Sequence, residues 1–353
     1  MPDKKINIMV IMGGPSDEYE VSLSTGKQIL NSLDKEKYSI SSVIVGKDGK
    51  WLLSNKKNSD TALGNDIQNE KSLATVETGR AIDQMKSGEN KIDVAFIAMH
   101  GKFGEDGIIQ GLLESIGMPY TGSGVLASAL AMDKVRSSEL FLYHGLEVPE
   151  FRHYEKNVWG EKIDELSERI SNEFGIPCVI KPADSGSSVG VAVVKKIEDL
   201  KNAIELAFSK SSTVIAQDFI SGREVTCGVL DFGEEKGTQA LVPTEIIPKN
   251  SEFFDYKAKY MPGASNDITP PNMEKDIIEK IQAIALKAHT ILGCSGMSRT
   301  DMIVSDDDIY VLETNTIPGM TPTSLLPQEA QALGISFSEL LDKIIESALR
   351  RNS

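Results

Sequence analysis

The chain has 353 residues, of which 52 are acidic and 37 are basic, and its formal net charge is −15 at pH 7. A strongly acidic chain repels nucleic acid and anionic membrane surfaces, which argues against both classes of partner. The three cysteines show no CxxC spacing, which is typical of buried thiols in a reducing compartment. No N-terminal signal segment or apolar run of membrane-spanning length is present, so we expect a cytoplasmic protein of two or three domains.

The first predicted strand, KINIMVIMGG, ends in Gly13 and Gly14, and a helical pattern begins near Val21. A strand that passes through glycines into a helix is how a doubly wound sheet begins, and ligands bind at the carboxyl ends of such strands. Glu20 lies at this end. A third glycine at dinucleotide-fingerprint spacing is missing, so we reject a dinucleotide site here.

Two further strands are predicted around the KDGK turn of YSISSVIVGKDGKWLL, and residues 55–90 are predicted to form a connection with one helix. The segment DVAFIAMHG repeats the opening pattern, since a buried strand ends in His100 before the loop KFGED and a helix from about Gly107. His100 is either a loop residue bonded to the backbone or a substrate contact. Its place beside the strand end that carries Glu20 favours the second role.

Residues 135–220 are predicted to form strands CVIKP, VGVAVV and VIAQDFI with helices EKIDELSERISNEF and 197–208. Lys181 ends the first of these strands, directly before the small-residue loop ADSGSS. Such a loop brings N–H groups and hydroxyls close to phosphate oxygens, and the ammonium group compensates their charge. Because the lysine precedes the glycine, the loop is not a Walker A motif, and an ordinary hairpin tip remains the alternative.

The third part begins with strands GREVTCGVL, which carries Glu224, and ALVPTEIIP. The proline-flanked stretch at 249–271 has no clear periodicity and contains Lys257, Lys259 and Tyr260, which predicts a loop that covers an anionic ligand. The next helix carries an apolar stripe that includes His289, to which we assign a structural role.

The stretch SRTDMIVSDDDIYVLETN is predicted to be a β-hairpin with an acidic turn. If the turn centres on residue 307, Asp301 faces Glu313, and Arg299 and Asn315 lie on the same face. Two carboxylates and an amide oxygen are ligands that suit Mg²⁺. A solvated edge hairpin is the alternative when this stretch is taken alone. The turn TIPGMTPTSLLP follows, and a capping box opens the terminal helix SFSELLDKIIESALRR.

Eight motifs in this order resemble the ATP-grasp superfamily, and within it the D-alanine:D-alanine ligases. They are GGPSDEYEVSLST, AMHGKFGEDG, TGSGVLASALAMDK, IKPADSGSSVGV, GREVT, FFDYKAKY, SRTDMIV and LETNTIPGMTPTSLLP. The resemblance implies an α/β, three-domain ATP-grasp fold, in which a doubly wound parallel-sheet domain (1–134) precedes two α+β domains (135–220 and 221–353) that enclose ATP. It also implies a homodimer.

The resemblance implies ATP contacts for Lys134, Lys181, Ser187, Ser188, Gln217, Glu224 and Lys259. The first two lysines would contact the phosphates, with Lys181 also reaching towards the adenine, and Glu224 would bind the ribose hydroxyls. Family members often have a glutamate where Gln217 stands near the adenine amino group, and a glutamine oxygen can accept the same hydrogen bond. The implied ligands of two Mg²⁺ ions, or of Mn²⁺ in their place, are Asp301, Glu313 and Asn315, with Glu313 bridging.

The implied substrate and catalytic residues are Glu20, His100, Ser187, Tyr260, Arg299, Gly319, Ser324 and Leu325. Glu20 would hold the ammonium group of the first D-alanine, with His100 near its carboxylate. Arg299 and the N–H of Gly319 would form the oxyanion site. Ser324 and Leu325 would help to bind the carboxylate of the second D-alanine, while Tyr260 and Lys259 would lie on the closing loop, with Tyr260 hydrogen-bonded to Ser187 and Glu20.

The implied reaction joins two D-alanines with ATP through a D-alanyl phosphate, for peptidoglycan synthesis. Tyr260 matches the dipeptide-forming members, and a D-lactate-accepting ligase is the first alternative. Another ATP-grasp ligase with different substrates is disfavoured by Glu20, His100 and Ser324. A non-catalytic nucleotide-binding protein is disfavoured because a protein that only binds nucleotide does not need Arg299.

Overall fold

The structure is a computed structural model that describes residues 5–54, 73–76, 79, 82, 91–186, 189–249 and 265–351. Its frame consists of three sheets of five, six and four strands, with helices packed against them. No helix in these segments is both long enough and apolar enough to cross a membrane. The three sheets agree with the three-domain α/β organisation that the resemblance implies.

The first sheet has the strand order β4-β3-β2-β1-β5. Strand β1 pairs in parallel with β2 and β5, whereas β3 and β4 are antiparallel additions. Strand β4 lies in the stretch for which only a helix was predicted, so that part of the prediction was wrong. The elements are β1 (Ile6–Gly13), α1 (Tyr19–Ser32), β2 (Tyr38–Val45), β3 (Trp51–Ser54), β4 (Leu73–Val76), β5 (Val94–Ala98) and α2 (Ile108–Ser115).

The second sheet is antiparallel throughout, with the order β6-β9-β7-β8. Its apolar side packs on two helices through Ile180, Leu166 and Ile204. The predicted strand CVIKP matches β7 at both ends. The elements are β6 (Phe151–Glu155), α5 (Lys156–Trp159), α6 (Ile163–Phe174), β7 (Cys178–Pro182), β8 (Ala192–Val194), α7 (Ile197–Lys210) and β9 (Thr213–Asp218).

The third sheet has the order β13-β12-β10-β14-β15, with β11 paired to β10. One face packs on α8, where Val225 and Met302 meet Ile281 and Ala285. His289 of α8 is buried and hydrogen-bonded to Ser298. The elements are β10 (Arg223–Asp231), β11 (Thr238–Ala240), β12 (Thr244–Pro248), β13 (Ser265–Ile268), α8 (Lys275–Leu292), β14 (Met297–Ser305) and β15 (Asp308–Asn315).

Four further helices tie the sheets together: α3 (Val125–Met132), α4 (Lys134–Tyr143), α9 (Leu325–Ala332) and α10 (Phe337–Arg351). Phe141 of α4 packs in the core of the third sheet, whereas Leu340 and Ile344 of α10 complete the core of the first. The reciprocal bonds of the capping box at Ser336 and Glu339 start α10. The predicted boundaries 1–134, 135–220 and 221–353 stay a prediction, and both α4 and α10 pack across them.

Candidate active site

The hairpin of β14 and β15 carries the predicted cluster of polar side chains. Asp301 pairs with Glu313, and Arg299 pairs with Asn315. Directly opposite residues of an antiparallel pair share a face, and alternate residues along a strand do so too. The predicted grouping of these four side chains on one face is therefore confirmed.

A β-bulge produces this register. The turn is shorter than predicted, since Ser305 pairs with Asp308 and two residues lie between them, so the centre is not at Asp307. A regular ladder from that turn would place Leu312 opposite Asp301. The side chain of Glu313 would then point to the core face. The register shifts by one residue beside Asp301, which leaves Leu312 as the extra residue. The bulge thus turns the carboxylate of Glu313 towards the face that carries Asp301.

Strand β10 extends the same polar face. Thr226 pairs with Asp301, and Glu224 is two residues away on the same side of the sheet. The intervening Val225 is fully buried against α8. The predicted ribose contact Glu224 is therefore on the face that carries the acidic hairpin.

Arg299 is held in place by hydrogen bonds to Thr226 and Asp301. Its Nε donates to Asp301 Oδ1 and to Thr226 Oγ1, each at 3.0 Å, and its Nη2 donates to Asp301 Oδ2 at 3.0 Å. The side chains of Arg299 and Asp301 are only 10% and 5% exposed. Screening by water is weak at such a site, so the guanidinium is a fixed positive charge beside Asp301.

Lys134 links the second sheet to the third. Its Nζ lies 3.2 Å from Glu313 Oε2 and donates to the carbonyl oxygen of Ser185 at 2.7 Å. Its backbone N–H donates to the carbonyl of Ala183 at 2.9 Å. The sequence pattern alone assigned Lys134 no role, whereas the structure places its ammonium group between the small-residue loop and the acidic hairpin.

Lys181 is the second buried lysine at this junction. Burial is the main cause that lowers its pKa to about 8, the charge of Lys134 lowers it further, and Glu313 acts in the opposite direction. Gln217 shares its face of the second sheet, because Lys181 pairs with Ile215, two residues from Gln217. The two residues predicted to reach the adenine are therefore neighbours on one face.

Glu20 does not lie where its predicted role requires. Its side chain is 78% exposed, and its only described ion pair is with Lys47 at 3.9 Å. Glu18 is buried instead, and its carboxylate lies where β-carbons would point from Gly101 and Gly186, 2.4 Å from each position. The structure therefore favours Glu18 over Glu20 for a contact with a substrate ammonium.

A cavity of about 290 Å³ opens beside this carboxylate. Its lining includes Ser16 and Glu18 from the loop after β1, Lys102 from the loop after β5, and Ser185 and Gly186 from the loop that follows β7. The lining carries carboxylates and ammonium groups, and a small zwitterion needs charges of both signs.

His100 was predicted to lie near the substrate carboxylate, but both of its ring nitrogens are hydrogen-bonded to other protein groups. Nδ1 lies 3.2 Å from the carbonyl of Ile317, and Nε2 lies 2.9 Å from Thr25 Oγ1. A carbonyl only accepts, so Nδ1 carries the proton and Nε2 accepts from the hydroxyl. Burial lowers the pKa of His100 to about 4, so the ring is neutral at pH 7. His100 positions Ile317 and offers no positive charge to a carboxylate.

Glu105 joins the same two loops and was not predicted as a site residue. Its Oε2 accepts from the N–H of Gly101 at 2.7 Å, and its Oε1 accepts from the N–H of Ile317 at 3.2 Å. Burial raises the pKa of Glu105 well above its ordinary value, and the nearby charge of Glu18 raises it further. Glu18 and Glu105 are thus a pair of buried acids whose negative charges oppose each other.

This pair predicts a pH-dependent stability that Glu105→Gln removes. A carboxyl with a raised pKa keeps its proton in the folded protein at pH values where the unfolded chain has lost it, so the pair destabilises the fold increasingly as pH rises above about 4.5. Denaturant unfolding at pH 5 and pH 7.5 should show that wild type loses more stability than Glu105→Gln over this interval. Parallel stability curves for the two proteins would contradict the assignment.

The turn after β15 gathers the residues predicted for the oxyanion and the second substrate. Ser324 Oγ lies 2.7 Å from the place where a β-carbon of Gly319 would stand. It accepts from the N–H of Thr321 at 3.0 Å. Leu325, the first residue of α9, is buried against Ile246 of β12. Gly319 and Ser324 are thus neighbours at the start of α9, next to Leu325, and their roles towards the oxyanion and the second substrate stay predictions.

Four of the predicted site residues lie outside the described part of the chain: Ser187, Ser188, Lys259 and Tyr260. Their predicted roles in closing over phosphate and substrate are therefore carried forward as expectations. Lys257 lies outside the described residues as well.

The hairpin fits a divalent cation through the chemistry of its donors. Asp301 and Glu313 face each other across two strands, and Asn315 Nδ2 lies 3.4 Å from Asp301 Oδ2. Among the described residues no group of three or more His, Cys, Asp or Glu side chains is placed to hold a metal ion, and this set contains only two acids. Mg²⁺ commonly takes one or two carboxylates and completes its shell with water and phosphate oxygens, so this set is sufficient.

The chain matches known proteins over nearly its whole length. The family model for the D-ala D-ala ligase N-terminus matches residues 7–123, and the one for the C-terminus matches residues 140–346. The chain belongs to the D-alanine-D-alanine ligase family. A D-alanine-D-alanine ligase of Syntrophobacter fumaroxidans is 43% identical over 350 residues, which cover 99% of both chains. One from Leptospira biflexa is 41% identical over 354 residues, which cover 98% of this chain and 99% of the relative.

Solved structures of the family share the fold. A D-alanine-D-alanine ligase of Bacillus anthracis complexed with ATP is 35% identical, with a TM-score of 0.74 and 99% of each chain covered. A D-Ala:D-Ser ligase of Enterococcus faecalis is 34% identical, with a TM-score of 0.82, and covers 98% of this chain and 100% of its own. The three-domain ATP-grasp fold implied by the sequence motifs is therefore confirmed.

Proposed function

We propose that the chain joins two D-alanine molecules into D-alanyl-D-alanine and converts ATP to ADP and phosphate. Membership of the family supports this reaction, and so does the convergence of a buried arginine, an acidic hairpin and two buried lysines. The observation that carries it is the contact of Lys134 with both Glu313 and the loop after β7, because it joins a phosphate-binding element to a metal-binding one.

In the first step, the carboxylate of one D-alanine attacks the γ-phosphate of ATP, which gives D-alanyl phosphate and ADP. Glu18 would hold the ammonium group of this D-alanine. Lys134 and Lys181 would neutralise charge on the phosphates, and Gln217 and Glu224 would contact the adenine and the ribose. Asp301, Glu313 and Asn315 would hold two Mg²⁺ ions, or Mn²⁺ in their place, and bound ions of this kind neutralise charge on the phosphoryl oxygens.

In the second step, the amine of another D-alanine attacks the acyl carbon, the peptide bond forms, and phosphate leaves. Arg299 and the N–H of Gly319 would stabilise the tetrahedral oxyanion. Ser324 and Leu325 would bind the carboxylate of this second D-alanine. Ser187, Ser188, Lys259 and Tyr260 would close over the site and keep water from the acyl phosphate. His100 would act through Ile317, since both of its ring nitrogens are already bonded.

The finer assignments follow from the same reaction. The dipeptide would enter peptidoglycan synthesis, and the enzyme would work in the cytoplasm, where ATP is available. We also propose a homodimer.

Product analysis tests this proposal. The protein with ATP, Mg²⁺ and D-alanine should release phosphate and form a dipeptide that mass spectrometry identifies. D-lactate and D-serine are offered in competition as second substrates, and we expect the D-alanine dipeptide to dominate. A dominant depsipeptide or D-Ala-D-Ser product would overturn the assignment of the second substrate. Absence of phosphate release that depends on D-alanine would overturn the proposed function.

A further inference from the structure

Glu329 is a buried acid with no part in the reaction described above. It lies in α9, and no part of the residue is exposed to solvent. Its Oε2 accepts from the backbone N–H of Gly228 at 2.6 Å. Among the described residues its Oε1 has no hydrogen-bond partner, although the hydroxyl of Thr244 is close enough to affect the pKa of Glu329. Acids are seldom buried without a specific role.

The contact between Glu329 and Gly228 holds a helix directly on a strand. A β-carbon at Gly228 would stand 2.5 Å from Glu329 Oε2 and 2.4 Å from Leu326 Cδ1, so only glycine lets α9 approach this closely. Gly228 is also the register partner of Arg299 in the third sheet. The helix is therefore docked at the strand position next to the proposed oxyanion arginine.

The docked helix carries the proposed contacts of the second substrate at its beginning. Ser324 is its N-cap residue and Leu325 its first residue, whereas Glu329 lies one turn further along. Residues four apart on a helix lie on the same face, so Leu325 and Glu329 both point towards the third sheet. A shift of α9 on β10 would therefore displace Leu325 and Ser324 together.

We propose that Glu329 is a positioning residue for the second substrate, because it fixes α9 on β10 and thereby places Ser324 and Leu325 against the carboxylate of the second D-alanine. This inference rests on the proposed function. The bond to Gly228 requires an acceptor oxygen and not a charge. Burial raises the pKa of Glu329 well above its ordinary value. A glutamine oxygen can accept the same hydrogen bond from Gly228.

Three substitutions test the inference. Glu329→Ala removes the acceptor oxygen. Gly228→Ala adds a β-carbon on β10 that pushes α9 away from this strand. Glu329→Gln keeps an acceptor for the N–H of Gly228 and brings an amide donor near Thr244. We expect the first two to raise the KM for the second D-alanine about tenfold, as the loss of one buried hydrogen bond predicts, and Glu329→Gln to remain close to wild type. Gln331→Ala, at an exposed position of α9, is the matched control.

The readout separates the two steps of the reaction. Hydroxylamine intercepts D-alanyl phosphate as the hydroxamate, with release of phosphate, and needs no second D-alanine. Hydroxamate formation and the KM for ATP should stay within about twofold of wild type in all variants, while dipeptide formation changes as stated. Equal loss of hydroxamate and dipeptide, or an unchanged KM for the second D-alanine in Glu329→Ala and Gly228→Ala, would overturn the inference. A wild-type protein that forms neither product would instead overturn the proposed function.

Discussion

Glu313→Gln should lower the turnover number of the enzyme by about 10³-fold or more while the protein stays folded. The substitution keeps the shape of the side chain but removes the charge that faces Lys134 at 3.2 Å and that a bridging metal ligand needs. Stabilisation of phosphoryl charge by metal ions is worth several kcal/mol, and about 4 kcal/mol corresponds to this loss in rate. Steady-state phosphate release at saturating ATP and D-alanine measures it.

The matched control is Asp308→Asn, which removes a carboxylate at the exposed turn end of the same strand. It should leave the turnover number within about twofold of wild type, because surface charges far from a site contribute little. The Mg²⁺ concentration for half-maximal activity should rise in Glu313→Gln and not in Asp308→Asn. Near-normal turnover in Glu313→Gln, with an unchanged Mg²⁺ requirement, would remove Glu313 from the proposed metal site.

The elements close to the chemistry were predictable because their signals are local. Alternation of polar and apolar residues defines the two strands of the hairpin. The pairing of these strands puts Asp301 opposite Glu313, as predicted. The bulge at Leu312 was not predictable in this way, because an extra residue leaves no composition signal. Strand β4 was missed because its stretch is polar and weakly periodic, and pairing with β3 decides its conformation.

The buried acids depend on contacts that no local pattern shows. Gly228 and Glu329 are 101 residues apart, and Glu105 and Ile317 are 212 residues apart. Each acid stands in a helix or loop where a charged residue normally faces water. Only the packing of α9 on β10, or of the loop after β5 on the turn after β15, reveals that these carboxylates are buried.

The choice between Glu18 and Glu20 did have a local signal. The buried positions Ser22, Thr25 and Ile29 of α1 follow Glu18 at spacings of four, seven and eleven residues, which is the repeat of one helix face. Glu20 falls on the opposite face, and its side chain is exposed. Helical periodicity therefore selects Glu18, whereas the position at a strand end does not distinguish the two residues.

Glu18→Gln and Glu20→Gln therefore form a matched pair with opposite expected results. Glu18→Gln should lower kcat/KM for the first D-alanine by about 10²-fold, because it leaves the substrate ammonium without its buried counter-charge. Glu20→Gln should stay within about twofold of wild type, since the side chain it changes is 78% exposed. Hydroxamate formation from D-alanine, ATP and hydroxylamine measures this first step alone. The reverse order of effects would return the ammonium contact to Glu20 and would mean that α1 turns its other face to the substrate.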